Sequence, residues 1–460
     1  MEGGAWAFSC PRISPTGPQC SHNALGNRCN RAFFIACASF CIVQVLPIDS
    51  VRHQFLLCGL LSTNLAVTAL SATYLYEFDF DMLALLLATA SVYLWSRTKR
   101  GLLPGAVLLA LSMGIYQAYF SVAVTLILLL SLNRLWNNEE RVLQSGLSGI
   151  AFLVLGGVLY MLLNRISLSF MSIHPQPVPN SFLNLFKNFS PALLADTYLF
   201  WGKKMIRQIP AYSLVTECLL NGILLLSGVW KWMAYKKQKT RKKTNYILLV
   251  LLLGLLPLGI NCIFIMTGGF AHDLMCYSFP LIYLLFLLDP AGNSQKQQPI
   301  KTFRKRCGQM IASIVIVCML WGNIVSANVL YTKKDLEQRA TYAKMIQISN
   351  RLQTEPGYVP GETEVAFIGG VSLTPLPIKS DYYAVTGASA EPIWTGAPKR
   401  IFNLYQAYFR FILQTPLKSC SYEEFEALKK DPRVRKMEFF PAESSLQWID
   451  GIVVFKISEE

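Results

Sequence analysis

In the stretch "TYLYEFDFDMLALLLATA", residues 73–90, the carboxylates Glu77, Asp79 and Asp81 abut a run apolar enough to enter a membrane. Ionisable groups at hydrocarbon depth are costly to desolvate and usually mark a functional site. The competing reading is a helix start, where one acid caps the first turn and opposes the helix dipole. One capping acid is ordinary; three in so short a stretch are not. On a helix Glu77 and Asp81 share a face that Asp79 does not, whereas in an extended chain all three share one, and the sequence leaves both open. In "LFWGKKMIRQIP", Lys203, Lys204 and Arg207 recur at helical spacing, so a short interfacial helix would group cations suited to a phosphate, or would anchor the loop. "GGFAHDLM" offers His272 and Asp273, as a catalytic pair or as a local cap. In "GIYQAY", Tyr116, Gln117 and Tyr119 could line a sugar site by stacking and hydrogen bonding, or form an interfacial aromatic belt.

The elements that must carry these groups are membrane spans. Of 460 residues, 53% are hydrophobic and only 15% charged, and apolar runs near the ~20 residues needed to cross a bilayer recur along the chain. Ten spans are predicted, near 32–46, 54–76, 78–95, 102–115, 118–132, 146–165, 211–230, 246–266, 271–288 and 309–330. The pair at 102–132 is interrupted by "GIYQAY" and also fits one long or re-entrant element. Basic residues fall in every second loop: at Arg52, at Arg97 and Arg100, at Arg134 and Arg141, in "KWMAYKKQKTRKK", and between Lys296 and Arg306. Cytoplasmic loops retain such residues, so the loops holding the acids, the 166–210 segment and "GGFAHD" are expected to face outward.

The same alternation puts residues 331–460 outside. They read as a small α/β domain: an amphipathic helix at 331–353, a strand in "EVAFIGG", helices around 400–414 and 421–430, and strands "VRKMEFF" and "GIVVFKIS". Asp450-Gly451 reads as a tight turn into the last strand. The predicted fold is therefore mainly α, a polytopic bundle at 32–330 behind a polar leader at 1–31, with an extracytoplasmic α/β domain at 331–460.

Composition also excludes. The formal charge of +15 arises wholly before residue 331, because the last 130 residues balance 16 basic against 16 acidic side chains. That distribution is a topology signal rather than a nucleic-acid-binding face. Most of the 12 cysteines, Cys37, Cys41 and Cys262 among them, lie in apolar runs and behave as small hydrophobes, while Cys10, Cys20 and Cys29 lack zinc-site spacing. No metalloprotease, Walker, dinucleotide or nucleophile-elbow motif occurs in a suitable context.

"YEFDFDMLALLLATASVYLW", "LLALSMGIYQAYFSVAVTLILL", "HDLMCYSFPLIYLL" and "FFPAESSLQWIDGIVVFKIS" together resemble the membrane glucosyltransferases of the type II Gtr family, in matching order from about residue 25 onward. The resemblance implies a GT-C-like bundle in the bacterial inner membrane. It implies a polyprenyl-phosphate-linked glucose donor and an O-antigen or other surface-glycan acceptor on the outer face. Under that reading Asp79 or Asp81, beside Glu77, acts as general base. Lys203, Lys204 or Arg207 holds the lipid phosphate, Tyr116 and Gln117 orient the sugar, with His272 and Asp273 nearby, and the C-terminal domain contacts the glycan. No cofactor is implied, and a divalent-metal requirement stays open. Relatives begin with a further helix and a loop carrying paired acids, where this chain has its leader; a truncated or inactive copy is one expectation that follows, with Asp79 and Asp81 then positioning substrate. The alternatives are a lipid-linked sugar flippase, a glycan polymerase or ligase, and a structural subunit.

Overall fold

The computed structural model describes residues 24–75, 77–98, 100–137, 139, 141–170, 190–236, 243–288, 299–371 and 398–458. Most of the leader, including Cys10 and Cys20, and parts of the basic loops lie outside those residues. The described chain forms two compact units, one up to Val329 and one from Leu330.

The first unit is helical: α1 (Ala24–Val45), α2 (Val51–Ser62), α3 (Leu65–Thr73), α4 (Phe78–Arg97), α5 (Leu102–Ile115), α6 (Phe120–Trp136), α7 (Val142–Phe170), α8 (Pro191–Ile206), α9 (Leu214–Lys236), α10 (Lys243–Ile260), the short α11 (Cys262–Met266) and α12 (Leu284–Leu287), and the start of α13 (Pro299–Gln353). Among the described residues five helical stretches are long and apolar enough to cross a membrane: Val51–Ala72, Phe78–Arg97, Gln117–Trp136, Val142–Phe170 and Cys307–Gln353. Four more apolar helices are shorter, Leu102–Ile115 among them; its 14 residues extend only about 21 Å at 1.5 Å per residue.

One expected span takes another form. Residues 271–288 form no continuous helix; they run through single 3₁₀ turns at Asp273–Met275 and Phe279–Tyr283 before α12. Non-helical backbone survives at membrane depth only where protein surrounds it, and this segment meets that condition. It is buried almost throughout, and its side chains bond neighbouring helix ends: Ser278 Oγ donates to the Ile260 carbonyl at 2.6 Å and the Tyr277 hydroxyl donates to the Leu61 carbonyl. The "GIYQAY" segment is also a break, extended at Tyr116 (φ −152°, ψ 116°) and then a 3₁₀ turn at Gln117–Tyr119.

Within this unit α4 packs on α1 and α5, α5 on α7, and α6 on α10. Glycines set the closest approach. A Cβ on Gly105 would stand 2.7 Å from the Ser91 carbonyl oxygen of α4 and 3.2 Å from the Phe152 ring of α7. Gly105→Val is therefore expected to force these helices apart at a cost of about 1–3 kcal/mol. The check is a lower Tm of the full chain in detergent; an unchanged Tm would show that the contact is not tight.

The second unit holds a four-stranded sheet of order β2-β1-β4-β3: β1 (Glu364–Ile368), β2 (Lys418–Ser419), β3 (Leu446–Ile449) and β4 (Ile452–Lys456). β1 runs parallel to β2 and β4, and β3 is antiparallel to β4. Side chains alternate between two cores. Val365, Phe367, Val453 and Phe455 pack with Met345, Ile348 and Leu352 of α13 and with Tyr405 of α14 (Pro398–Tyr408). Ala366, Ile368 and Val454 face Phe425 and Leu428 of α15 (Tyr422–Lys430) and Val434 of α16 (Pro432–Lys436). Helices thus cover both faces, which is why β4 is buried at every position.

Two expectations in this unit change. "VRKMEFF" holds α16 rather than a strand, because Asp431 caps a helix with Pro432 at its first position, an arrangement that favours helix entry. The strand that runs antiparallel to β4 is instead "LQWI". The Asp450-Gly451 turn stands: both residues have positive φ, 51° and 84°, as a two-residue hairpin requires. Arg433 bonds both Asp431 and Asp450 and holds their carboxyls below the ordinary range.

Candidate functional site

The acidic stretch is helical, which settles which carboxylates share a face. α4 starts directly after Glu77, whose side chain makes no capping bond. Asp79 turns toward α1, where the Arg31 guanidinium pairs with it at 2.5 Å, stacks 4.7 Å over the Phe78 ring and donates to the Leu75 carbonyl at 3.2 Å. Asp81 turns the other way and is buried, at 6% exposure. Among the described residues no basic side chain pairs with it. Neither Asp79 nor Asp81 is the N-cap.

Around Asp81 stand groups brought from three other segments. The chain break after α5 directs Tyr116 toward it, with Tyr74 and Glu77 in the same neighbourhood. Tyr119, from the 3₁₀ turn that follows, packs at 5.5 Å between ring centroids on Tyr277 and also lies within electrostatic range of Asp81. Its hydroxyl is buried and has no hydrogen-bond partner. Tyr277 belongs to the broken 271–288 segment, as does Cys276, another neighbour of Tyr116.

Cys276 links this neighbourhood to a cation. Lys204, in the last turn of α8, lines the same cleft as Cys276. The ammonium bonds Asp273, which is 1% exposed, and lies 5.7 Å from the centroid of the Phe200 ring. Only one Asp273 oxygen is used; Oδ2 is buried without a partner. A helix C-terminus favours a cation, and Lys204 lines a narrow cleft with Asn64, Gln208, Cys276 and Phe279.

The structure therefore sets Glu77 and Tyr116 beside Asp81 and pairs Lys204 with Asp273, with Tyr116 and Cys276 standing between the two groups. Lys203 and Arg207 are exposed, while Lys204 is half-buried and pairs with Asp273. His272 caps the 3₁₀ turn, its Nδ1 accepting from the Leu274 amide at 3.4 Å. Gln117 points to α7, where its Nε2 donates to the Tyr160 hydroxyl at 2.5 Å, leaving Oε1 buried without a partner. Among the described residues no group of three or more His, Cys, Asp or Glu could hold a metal ion. Sequence reasoning missed Arg31, Tyr277 and Cys276. The signal for Arg31 was a guanidinium directly before an apolar run, which needs an anion partner; nothing local marks the other two.

The fold and these buried ionisable groups define a multi-helix membrane protein with a polar site inside its helical unit. A family model described as "Glucosyl transferase GtrII" matches residues 30–288. That is more than half of the chain, and the protein belongs to the GtrII glucosyl transferase family, whose implied activity is glucosyl transfer. The match covers the acidic stretch, "GIYQAY", Lys204 and Asp273, and stops short of the second unit. No curated protein and no solved structure shows a significant similarity to the chain.

Proposed function

We propose that the protein moves glucose from a polyprenyl-phosphate-linked donor to a hydroxyl of an O-antigen or other cell-surface glycan, on the outer face of the bacterial cytoplasmic membrane. The observation that carries this reading is Asp81: a buried carboxylate with no basic partner among the described residues, beside Tyr116, which in turn lies near Cys276, the neighbour of Lys204.

In the proposed reaction the acceptor oxygen attacks C1 of glucose as the bond from C1 to the phosphate oxygen breaks. Asp81 takes the acceptor proton. Lys204 binds the phosphate and balances the charge that grows on it as polyprenyl phosphate leaves. Tyr116 orients the sugar, and Asp273 fixes the lysine. Asp79 falls to a structural part, because its charge is already met by Arg31. Gln117, Lys203, Arg207 and His272 are assigned no chemical step.

The test is transfer of labelled glucose from polyprenyl-phosphate-glucose to surface glycan in membranes that contain the protein. Transfer supports the proposal. Movement of the labelled lipid across the bilayer without bond cleavage would make the protein a flippase and sink it.

A further inference from the structure

The second unit contains a groove of about 680 Å³ between the C-terminal part of α13 and α14 with the turn that follows it. Its size falls within the ~300–1,000 Å³ of ligand clefts. α13 contributes Asp335, Gln338, Arg339 and Tyr342 to its walls, and the opposite side contributes Tyr408 and Phe411. Tyr342 is 46% and Phe411 42% exposed, so both rings offer a face to a ligand.

The backbone supports this presentation. After α14 the chain makes a π turn at Phe409–Leu413, ended by Gln414 at φ 50°. Such turns add a residue to the helical register and are frequent at functional sites. Here Phe409 stays in the core, 5.5 Å from Phe367 between ring centroids, while Phe411 is turned out to the groove.

Aromatic faces flanked by a carboxylate, an amide and a guanidinium suit a pyranose, whose C–H face stacks on rings and whose hydroxyls take paired hydrogen bonds. The charges favour a neutral ligand, because Asp335 and Arg339 neutralise each other at 2.9 Å. A groove for anionic lipid would instead present an excess of cations.

We propose that this groove binds uncharged sugar residues of the acceptor glycan, giving the second unit a share of acceptor affinity and no part in the chemistry; the choice of ligand rests on the glucosyltransferase reading above. The experiment uses the full chain in nanodiscs and, as probe, labelled polysaccharide released by mild acid from the host envelope. Phe411→Ala and Tyr342→Ala are each expected to weaken its binding about tenfold or more, with release of glucose from the donor to water unchanged. Tyr342→Phe keeps the ring and is expected to bind within about threefold of the unaltered protein. The proposal is overturned if the unaltered protein does not bind the polysaccharide, if both alanine variants bind like it, or if they lose association with anionic vesicles while glycan binding holds. Glycan binding lost in the variants of a protein that transfers no glucose would uphold the groove and remove the enzymatic reading. Transfer with binding unaltered in both variants would do the reverse.

Discussion

Asp81→Asn is expected to lower kcat for glucosyl transfer by about 10²–10⁴-fold, the contribution of a positioned general base, with donor affinity nearly unchanged. The argument is geometric. Asp81 is buried, no basic residue among those described pairs with it, and it stands among Glu77, Tyr116 and Tyr119. Asn keeps the shape and can accept a hydrogen bond, but cannot take the acceptor proton. Asp79→Asn is the matched control. Its partner Arg31 is partly buried, so the change should cost stability on the order of 1 kcal/mol while transfer falls by less than about tenfold. Single-turnover transfer by the two variants, each normalised to folded protein, separates the outcomes. Full activity in Asp81→Asn, or a collapse confined to Asp79→Asn, would move the base elsewhere.

Lys204→Met carries the second large effect, on two observables at once. Asp273 is 1% exposed and Lys204 is its cation; removing one member of a buried pair strands the other charge and typically costs about 3–5 kcal/mol. The double variant Lys204→Met with Asp273→Asn leaves no stranded charge and should recover most of that loss in Tm. Its transfer activity should not return, because the proposed phosphate partner is still missing. The failure should appear first as weaker donor binding. Recovery of both stability and activity in the double variant would reduce Lys204 to a structural ion and end its proposed phosphate role.

Each effect depends on partners from distant segments, and the limit of the sequence lies there. Local pattern sufficed for α4, because a run from Phe78 to Arg97 with few breakers has one stable form in lipid. It sufficed as well for the Asp450-Gly451 hairpin, where two adjacent positive φ angles demand those residue types. It failed for 271–288, whose apolar composition resembles a span. The 3₁₀ turns there exist because α2, α3 and α6 pack around them and the ends of α2 and α10 accept their hydrogen bonds. It failed too at "VRKMEFF", where the cap at Asp431 and Pro432 prevailed over strand propensity.

The sequence by itself determined that this protein lives in a membrane, that three acids, Glu77, Asp79 and Asp81, fall together at the start of one apolar run, and that its residues match one family of glucosyl transferases. Hydropathy, scarce charge and a family pattern are written in consecutive residues. Only the tertiary structure decided which carboxylate is neutralised and which cation is engaged. An ion pair such as Arg31 with Asp79, 48 positions apart, or Lys204 with Asp273, 69 apart, forms when helices pack, and no local spacing encodes it.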